Sequence, residues 1–174
     1  DFVLTVNPVN DAPVLTDIGT QSMEEDSVLE LQLSSSDIDG GDPSYSATSD
    51  EPSVSASVSG DQLILTPVAD WNGTANITVT VDDGSGGTDE EAFALTVNAV
   101  NDAPVMDAIA AQATDEDTPI TVTLSSSDID GGDPSYSATS DEENVSVSVD
   151  GDQLSLTPAA DWNGTANITV TVDD

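Results

Sequence analysis

The sequence is a tandem repeat with a period of 91 residues, and this feature limits the fold more than any other. SSSDIDGGDPSYSATSDE stands at residues 34–51 and again at 125–142. DWNGTANITVTVDD stands at residues 70–83 and again at 161–174, and NDAPV recurs at the same spacing. Self-similarity at one fixed period indicates an array in which each repeat is a separate structural unit.

The repeat divides the chain into three parts. Residues 10–100 form one complete repeat, and residues 101–174 form a second repeat that lacks its last strand. Residues 1–9, DFVLTVNPV, match AFALTVNAV at 92–100, so we expect them to be the last strand of a preceding repeat. We therefore expect residues 1–7 to project away from the first complete repeat.

An incomplete sandwich exposes a sheet edge and a core groove, and an inserted strand from another molecule can repair both. We expect residues 1–7 of one copy to fill the last-strand position in the second repeat of another copy, which builds an open head-to-tail filament. A simpler explanation of the same pattern is that the residues belong to one continuous polypeptide and that the given stretch ends within its Gly-rich loop.

Each repeat shows the alternation of apolar and polar residues that is typical of half-buried antiparallel strands. In NITVTV, for example, Ile77, Val79 and Val81 alternate with polar residues. We predict seven strands in the complete repeat, near residues 14–22, 27–34, 43–49, 53–59, 62–67, 74–82 and 90–98. This number of short strands predicts an all-β chain of tandem immunoglobulin-like or cadherin-like antiparallel β-sandwiches, joined by short acidic linkers.

The charge excludes several classes of function. The chain has 35 acidic residues, no Lys, Arg or His, and a formal net charge of −35. Binding to nucleic acid or to an anionic membrane surface requires basic residues, so we expect neither partner. Cysteine is also absent, so thiol, histidine and Schiff-base catalysis have no residues to use. The acidic pairs lie within turns rather than across a cleft, and we predict that the chain is not an enzyme.

Many of the acidic residues fall in the predicted loops at the two ends of each sandwich. Two carboxylates about 5 Å apart repel by roughly 3 kcal/mol at an effective dielectric constant of about 20, so a rigid cluster needs a cation. Ca²⁺ accepts six to eight oxygen ligands in a flexible geometry, and it suits such loops better than Mg²⁺ does. The candidate calcium ligands are Asn10, Asp11, Glu25, Asp37, Asp39, Asp70, Asp82, Asp83, Asn101, Asp102, Glu116, Asp128, Asp130, Asp161, Asp173 and Asp174.

Other interpretations of these residues remain open. Aspartate is common in turns, and a run of charges is usually a solvated surface. A halophilic surface-layer protein would also be acidic, although it would carry acids on its strand faces, where this chain has Ser and Thr. Trp71 and Trp162 could stack on sugars, but a single Trp beside a turn more often closes the end of a sandwich core.

The order of motifs resembles the cadherin-like extender repeats of giant bacterial adhesins of the RTX type. VNDAPV is followed by EEDS, by DIDGGD and by LTPVADWNGTANITVTVDDGSGGTDE, and the resemblance covers the whole chain. It implies secreted or surface-anchored β-sandwiches with Ca²⁺ at their junctions. By motif, the implied ligands are Glu25, Asn101, Asp102, Asp128, Asp130 and Asp174. The calcium nonapeptide of RTX proteins is absent, and the Gly that should follow Asp174 is not in the chain.

We therefore predict a calcium-stiffened spacer in a long bacterial extracellular stalk, in which identical repeats contact each other head-to-tail. The alternative is an adhesive module that grips a glycan or a protein. Such a module predicts copies that differ at their loop tips, whereas the two copies here are nearly identical.

Overall fold

A computed structural model describes all 174 residues and shows strands and no helix. The all-β fold predicted from the sequence is confirmed. Nothing in the chain is a helix of the length and apolarity needed to cross a lipid bilayer. The chain divides into two compact units, unit 1 at Asp1–Val100 and unit 2 at Asn101–Asp174.

Unit 1 is a two-sheet sandwich with an additional short strand pair. Its strands are β1 (Val14–Leu15), β2 (Gln21–Glu24), β3 (Leu29–Gln32), β4 (Ser35–Ser36), β5 (Ser44–Ser49), β6 (Val54–Ser59), β7 (Gln62–Pro67), β8 (Gly73–Asp82) and β9 (Thr88–Asn98). One sheet has the order β2-β9-β8-β5, the other has the order β3-β7-β6, and β1 pairs with β4. All pairs are antiparallel except β2 with β9, which is parallel.

The alternating residues of the strands meet in one core. Leu63 and Leu65 of β7 share this core with Ile77, Val79 and Val81 of β8, and all five side chains are fully buried. Phe93, Leu95 and Val97 of β9 complete this core. Because successive side chains of a strand point to opposite faces, the alternation seen in the sequence selects this face correctly.

The first predicted strand is divided in two. β1 pairs with β4, whereas β2 lies in the other sheet beside β9. The intervening chain includes Gly19, whose φ of 64° lies in the left-handed region that favours glycine. Carboxylates of β9 accept two backbone N–H groups at this break, Leu15 N to Asp89 Oδ2 at 2.8 Å and Ile18 N to Glu91 Oε1 at 3.2 Å. A periodicity argument could not find this change of sheet, because the apolar residues Val14, Leu15, Ile18 and Met23 follow no regular alternation through it.

Unit 2 repeats this arrangement without a counterpart of β9. Its strands are β10 (Val105–Met106), β11 (Ile120–Thr123), β12 (Ser126–Ser127), β13 (Ser135–Ser140), β14 (Val145–Asp150), β15 (Gln153–Pro158) and β16 (Ile168–Asp173). One sheet has the order β11-β15-β14, and the other contains only β13 and β16. Residues 112–115, the counterpart of β2, form no strand because the strand that they would pair with is absent.

The missing strand also changes the burial of the core. Ile168, Val170 and Val172 of β16 are half-buried, although the corresponding residues of β8 are fully buried. Residues 1–13 of unit 1 contain no strand, and the first twelve of them are exposed.

Candidate metal-binding site

The loops at the N-terminal end of unit 1 are held together by the first two residues of the repeat. Asn10 Nδ2 donates to Asp83 Oδ2 at 2.7 Å, and the backbone N–H of Asp11 donates to Asp39 Oδ2 at 2.6 Å. Asp39 N in turn donates to Asp37 Oδ1 at 2.8 Å, in an Asx turn. The Asn-Asp pair therefore connects the acidic loop after β4 with the acidic loop after β8.

The loop after β8 is organised around Asp83. Its Oδ1 accepts the N–H groups of Ser85 at 2.7 Å and Gly87 at 3.0 Å, while Asp82 Oδ1 accepts Gly84 N at 2.7 Å. The hydrogen bond from Asn10 and then those from the loop backbone lower the pKa of Asp83, because they favour its charged form. A Cβ at Gly87 would collide with the Asp83 carboxylate and would lie 2.8 Å from Ala12 Cα, so this loop requires a glycine.

Unit 2 has the same arrangement at its N-terminal end. Asn101 Nδ2 donates to Asp174 Oδ2 at 2.6 Å, and Asp102 N donates to Asp130 Oδ2 at 2.6 Å. Asp130 N donates to Asp128 Oδ1 at 2.9 Å. Asp173 offers its backbone carbonyl to Ser135 Oγ at 3.3 Å, and its side chain is exposed.

At the N-terminal end of unit 2, one carboxylate oxygen of Asp128 is in an unusual environment. Its Oδ2 is shielded from solvent and has no hydrogen-bond partner. A carboxylate oxygen that is removed from water without a partner is costly, and cations commonly satisfy such groups. The chain cannot provide one from a side chain, because it has no Lys, Arg or His.

The C-terminal end of unit 1 contains Glu25, a charged side chain that is only 3% exposed. Its Oε1 accepts Val100 N at 2.6 Å, and Asn72 Nδ2 lies 3.4 Å from its Oε2. Glu25 N also donates to Asn98 O at 2.9 Å. The buried carboxylate therefore ties the turn after β2 to the end of β9.

A second pair of acids stands beside Glu25. Asp26 and Asp70 both have φ of 57°, and Asp26 Oδ1 accepts Asp70 N at 3.0 Å. Carboxylate oxygens of these two residues lie within 4.8 Å of each other. The sequence predicts Asp70 and Glu25 as ligands but does not predict Asp26. The positive φ of Asp26, which accompanies its hydrogen bond with Asp70, cannot be read from residue types.

The corresponding end of unit 2 is only partly formed. Asp161 N donates to Asp117 Oδ1 at 3.0 Å, as in unit 1, and both residues have positive φ. Glu116, the counterpart of Glu25, is instead exposed. The difference follows from the missing strand, because unit 2 has no counterpart of Asn98 and Val100 to contact this turn.

Within each unit, the structure brings acidic residues together in pairs rather than in larger groups. Within either unit, no three carboxylates have oxygens that all lie within 4.8 Å of one another. The hydrogen bonds from backbone N–H groups and from the Asn side chains aim the carboxylates and leave further oxygen lone pairs available. Such pairs are suited to hard cations such as Ca²⁺, which binds carboxylate oxygens.

Trp71 packs against the core of unit 1, and a Cβ at Gly73 would lie 2.9 Å from its ring. The prediction that this Trp closes the end of the sandwich is consistent with these contacts, and Trp162 approaches Gly164 in the same way.

Comparison with known protein families identifies the family to which the repeat belongs. The family described as "Bacterial Ig domain" matches residues 10–96 and 101–174. The chain belongs to this family. No curated protein matches the sequence.

Solved structures that are similar to this bacterial Ig chain include several cadherins. Human protocadherin-24 EC1-2 superimposes with a TM-score of 0.58 at 15% identity, over 95% of this chain and 96% of that one. Drosophila N-cadherin EC1-4 gives 0.57 at 15% identity, over 94% of this chain and 48% of the N-cadherin chain. Human CDH23 EC21-23 has a TM-score of 0.55 at 22% identity, over 88% of this chain and 56% of the CDH23 chain. At these identities the likeness concerns the fold alone.

Proposed function

We propose that this bacterial Ig chain is a spacer of an extracellular adhesin stalk, and that calcium stiffens it. The observation that carries the proposal is the repeated connection at the N-terminal end of each unit. In both units the Asn-Asp pair that opens the repeat is bonded to two acidic loops, at distances that agree to within 0.1 Å. A segment that begins a repeat is thereby fixed to the same loops that could bind a cation.

The residues fit calcium in their chemistry. Ca²⁺ takes carboxylate, amide and backbone oxygens, and these are the groups that Asn101, Asp102, Asp128, Asp130 and Asp174 offer. Asp128 Oδ2 has no other partner in the chain. When bound, Ca²⁺ would supply positive charge and further fix the acidic loops. The chain's own residues position the carboxylates through the bonds described above.

We further propose that calcium also binds the acids at the C-terminal end of a repeat, which are Glu25, Asp26 and Asp70 in unit 1. A net charge of −35 makes an uncoordinated acidic array self-repelling, so cation binding favours the ordered form. Repeat arrays have contacts only between neighbours, so the length and stiffness of the whole follow from each junction.

The location and wider context are part of the same proposal. The family is described as bacterial, and the motif order resembles the extender repeats of RTX-type adhesins. Extracellular media contain calcium at concentrations that favour binding by mass action. We accordingly place the chain outside the cell, in a surface-anchored or secreted adhesin whose adhesive tip lies elsewhere.

Thermal unfolding and small-angle scattering, each with and without calcium, test this function. Salt alone screens the repulsion between carboxylates, so every sample needs the same ionic strength. We expect Ca²⁺ to raise the melting temperature and to increase the maximum dimension of the chain, and Mg²⁺ to do less. A chain whose melting temperature and dimensions are the same in calcium and in EDTA would refute the proposal.

A further inference from the structure

The turn that leads into β8 contains an Asn-Gly dipeptide, Asn72-Gly73, and the same pair recurs as Asn163-Gly164 in unit 2. Asparagine is a chemically labile residue, and a following glycine makes it more so, because without a Cβ the glycine nitrogen can reach the asparagine side chain unhindered. The glycine cannot be exchanged for a larger residue in unit 1, since a Cβ at Gly73 would lie 2.9 Å from the ring of Trp71. The fold therefore keeps the labile dipeptide as long as it keeps Asn72.

The structure leaves the Asn72 side chain accessible. Asn72 is exposed, and its Nδ2 lies 3.4 Å from Glu25 Oε2, which is a long hydrogen bond. Gly73 is the first residue of β8, so its nitrogen lies at the end of the strand rather than within it. Asn76 in the same strand is held more tightly, because its backbone N–H and its Nδ2 donate to Asp50 at 2.7 and 2.8 Å. A β-branched residue also follows Asn76, so its side chain is restrained where that of Asn72 is not.

Asn72 also contacts the acidic turn after β2. Its amide is a neutral group that donates to the buried carboxylate of Glu25, next to the pair formed by Asp26 and Asp70. A carboxylate in place of this amide could not donate to Glu25, and it would add a negative charge that repels the charges already there. The chemical state of residue 72 therefore sets how many charged oxygen ligands this end of unit 1 offers to a cation.

We propose that Asn72 is a modification site at which spontaneous deamidation turns the amide into a carboxylate and strengthens calcium binding at the C-terminal end of unit 1. The backbone nitrogen of Gly73 loses its proton to water and bonds to Cγ of Asn72, while the Cγ–Nδ2 bond breaks and Nδ2 leaves as ammonia with a proton from water. Water then opens the cyclic succinimide. Cleavage of the new Cγ–N bond gives Asp, and cleavage of the original backbone C–N bond gives isoaspartate. Water is the sole co-reactant.

The deamidation follows from local chemistry, whereas its effect on calcium rests on the proposed function. Calcium affinity depends on the number of charged ligands, so a carboxylate at residue 72 binds the ion more tightly than the amide does. Without calcium the same carboxylate destabilises the turn, because it faces Glu25. Calcium binding by this end of the repeat should therefore strengthen as the protein ages.

Mass spectrometry of an aged sample tests the reaction. The chain is kept in EDTA at mildly alkaline pH for as long as a free DWNGTANIT peptide needs to lose its amide. It is then digested at glutamate, because it has no Lys or Arg for trypsin to recognise. We expect conversion of Asn72 to Asp and isoaspartate, and we expect Asn76 to remain an amide. An intact Asn72 would show that the fold protects it and would overturn the proposal, as would equal conversion of Asn72 and Asn76.

Isothermal titration with calcium, at equal ionic strength, tests the consequence. Asn72→Asp supplies the product carboxylate in every molecule. Ser59→Asp is the matched control, because it adds the same charge at an exposed residue whose counterpart in unit 2 is Asp150. We expect Asn72→Asp to bind calcium about tenfold more tightly than freshly prepared wild type, and Ser59→Asp to bind it as wild type does.

The outcomes separate the two proposals. Equal calcium affinities of Asn72→Asp and Ser59→Asp would overturn the effect of deamidation on the site. A wild type and an Asn72→Asp variant that both bind no calcium would refute the proposed function and this effect together, while a converted Asn72 in the aged sample would still establish the modification.

Discussion

Replacing Asp128 by Asn should have opposite effects on stability with and without calcium. The Asn side-chain oxygen can still accept the N–H of Asp130, so the local turn is kept. The substitution removes the charge from a position where one oxygen is shielded and has no partner. An unsatisfied buried polar group costs about 1–3 kcal/mol, and more when it is charged, so removing the charge should recover about 1 kcal/mol in EDTA. For a domain of this size, that corresponds to a rise of about 4–8 °C in the melting temperature of unit 2.

In calcium the same variant should be less stable than wild type, because it has lost a charged ligand. Asp133→Asn is the matched control: it removes one charge from the same loop, but its side chain is exposed. Calorimetry of the three chains in EDTA and in calcium, at equal ionic strength, measures both effects. If Asp128→Asn melts at a lower temperature than wild type in EDTA, the shielded charge does not destabilise the fold. If the variant gains as much stability from calcium as wild type does, the shielded oxygen is not a cation ligand.

Three further outcomes follow from unit 1. Leu95→Ala removes a fully buried side chain, so it should lower the free energy of unfolding of unit 1 by about 2–5 kcal/mol while leaving the calorimetric transition of unit 2 unchanged. A hydrogen bond with Asp17, and then burial, raise the pKa of Glu91. The stability contributed by protonated Glu91 is therefore present below the ordinary pKa of 4.5 and is lost as pH rises through the raised pKa. Glu91→Gln should raise the melting temperature at pH 7 and make the melting temperature depend less on pH. Side-chain and backbone hydrogen bonds from Asn76 lower the pKa of Asp50. The stability that these bonds contribute is therefore present above the ordinary pKa of 3.8 and is lost as pH falls through the lowered pKa. Asp50→Ala should make the melting temperature fall less steeply as the pH is lowered.

The sequence predicts the sandwich well because its alternation is regular. The inward positions of β7, β8 and β9 are apolar at every second residue, and the burial follows this pattern. The sequence does not show that the first strand divides between two sheets. That division depends on Gly19 and on carboxylates of β9 that accept N–H groups from residues more than 70 positions away. Such long-range side-chain bonds leave no periodic signal.

The acidic loops were predictable as a set, but their internal bonding was not. The 91-residue repetition identifies the motifs around Asn10 and Asn101. In the structure, Asn10 donates a hydrogen bond to Asp83 after β8, and Asn101 donates the equivalent bond to Asp174 after β16. The pairing of Asp26 with Asp70 depends on positive φ at both residues, which residue types do not determine. The difference between buried Glu25 and exposed Glu116 comes from a strand rather than from the motif itself.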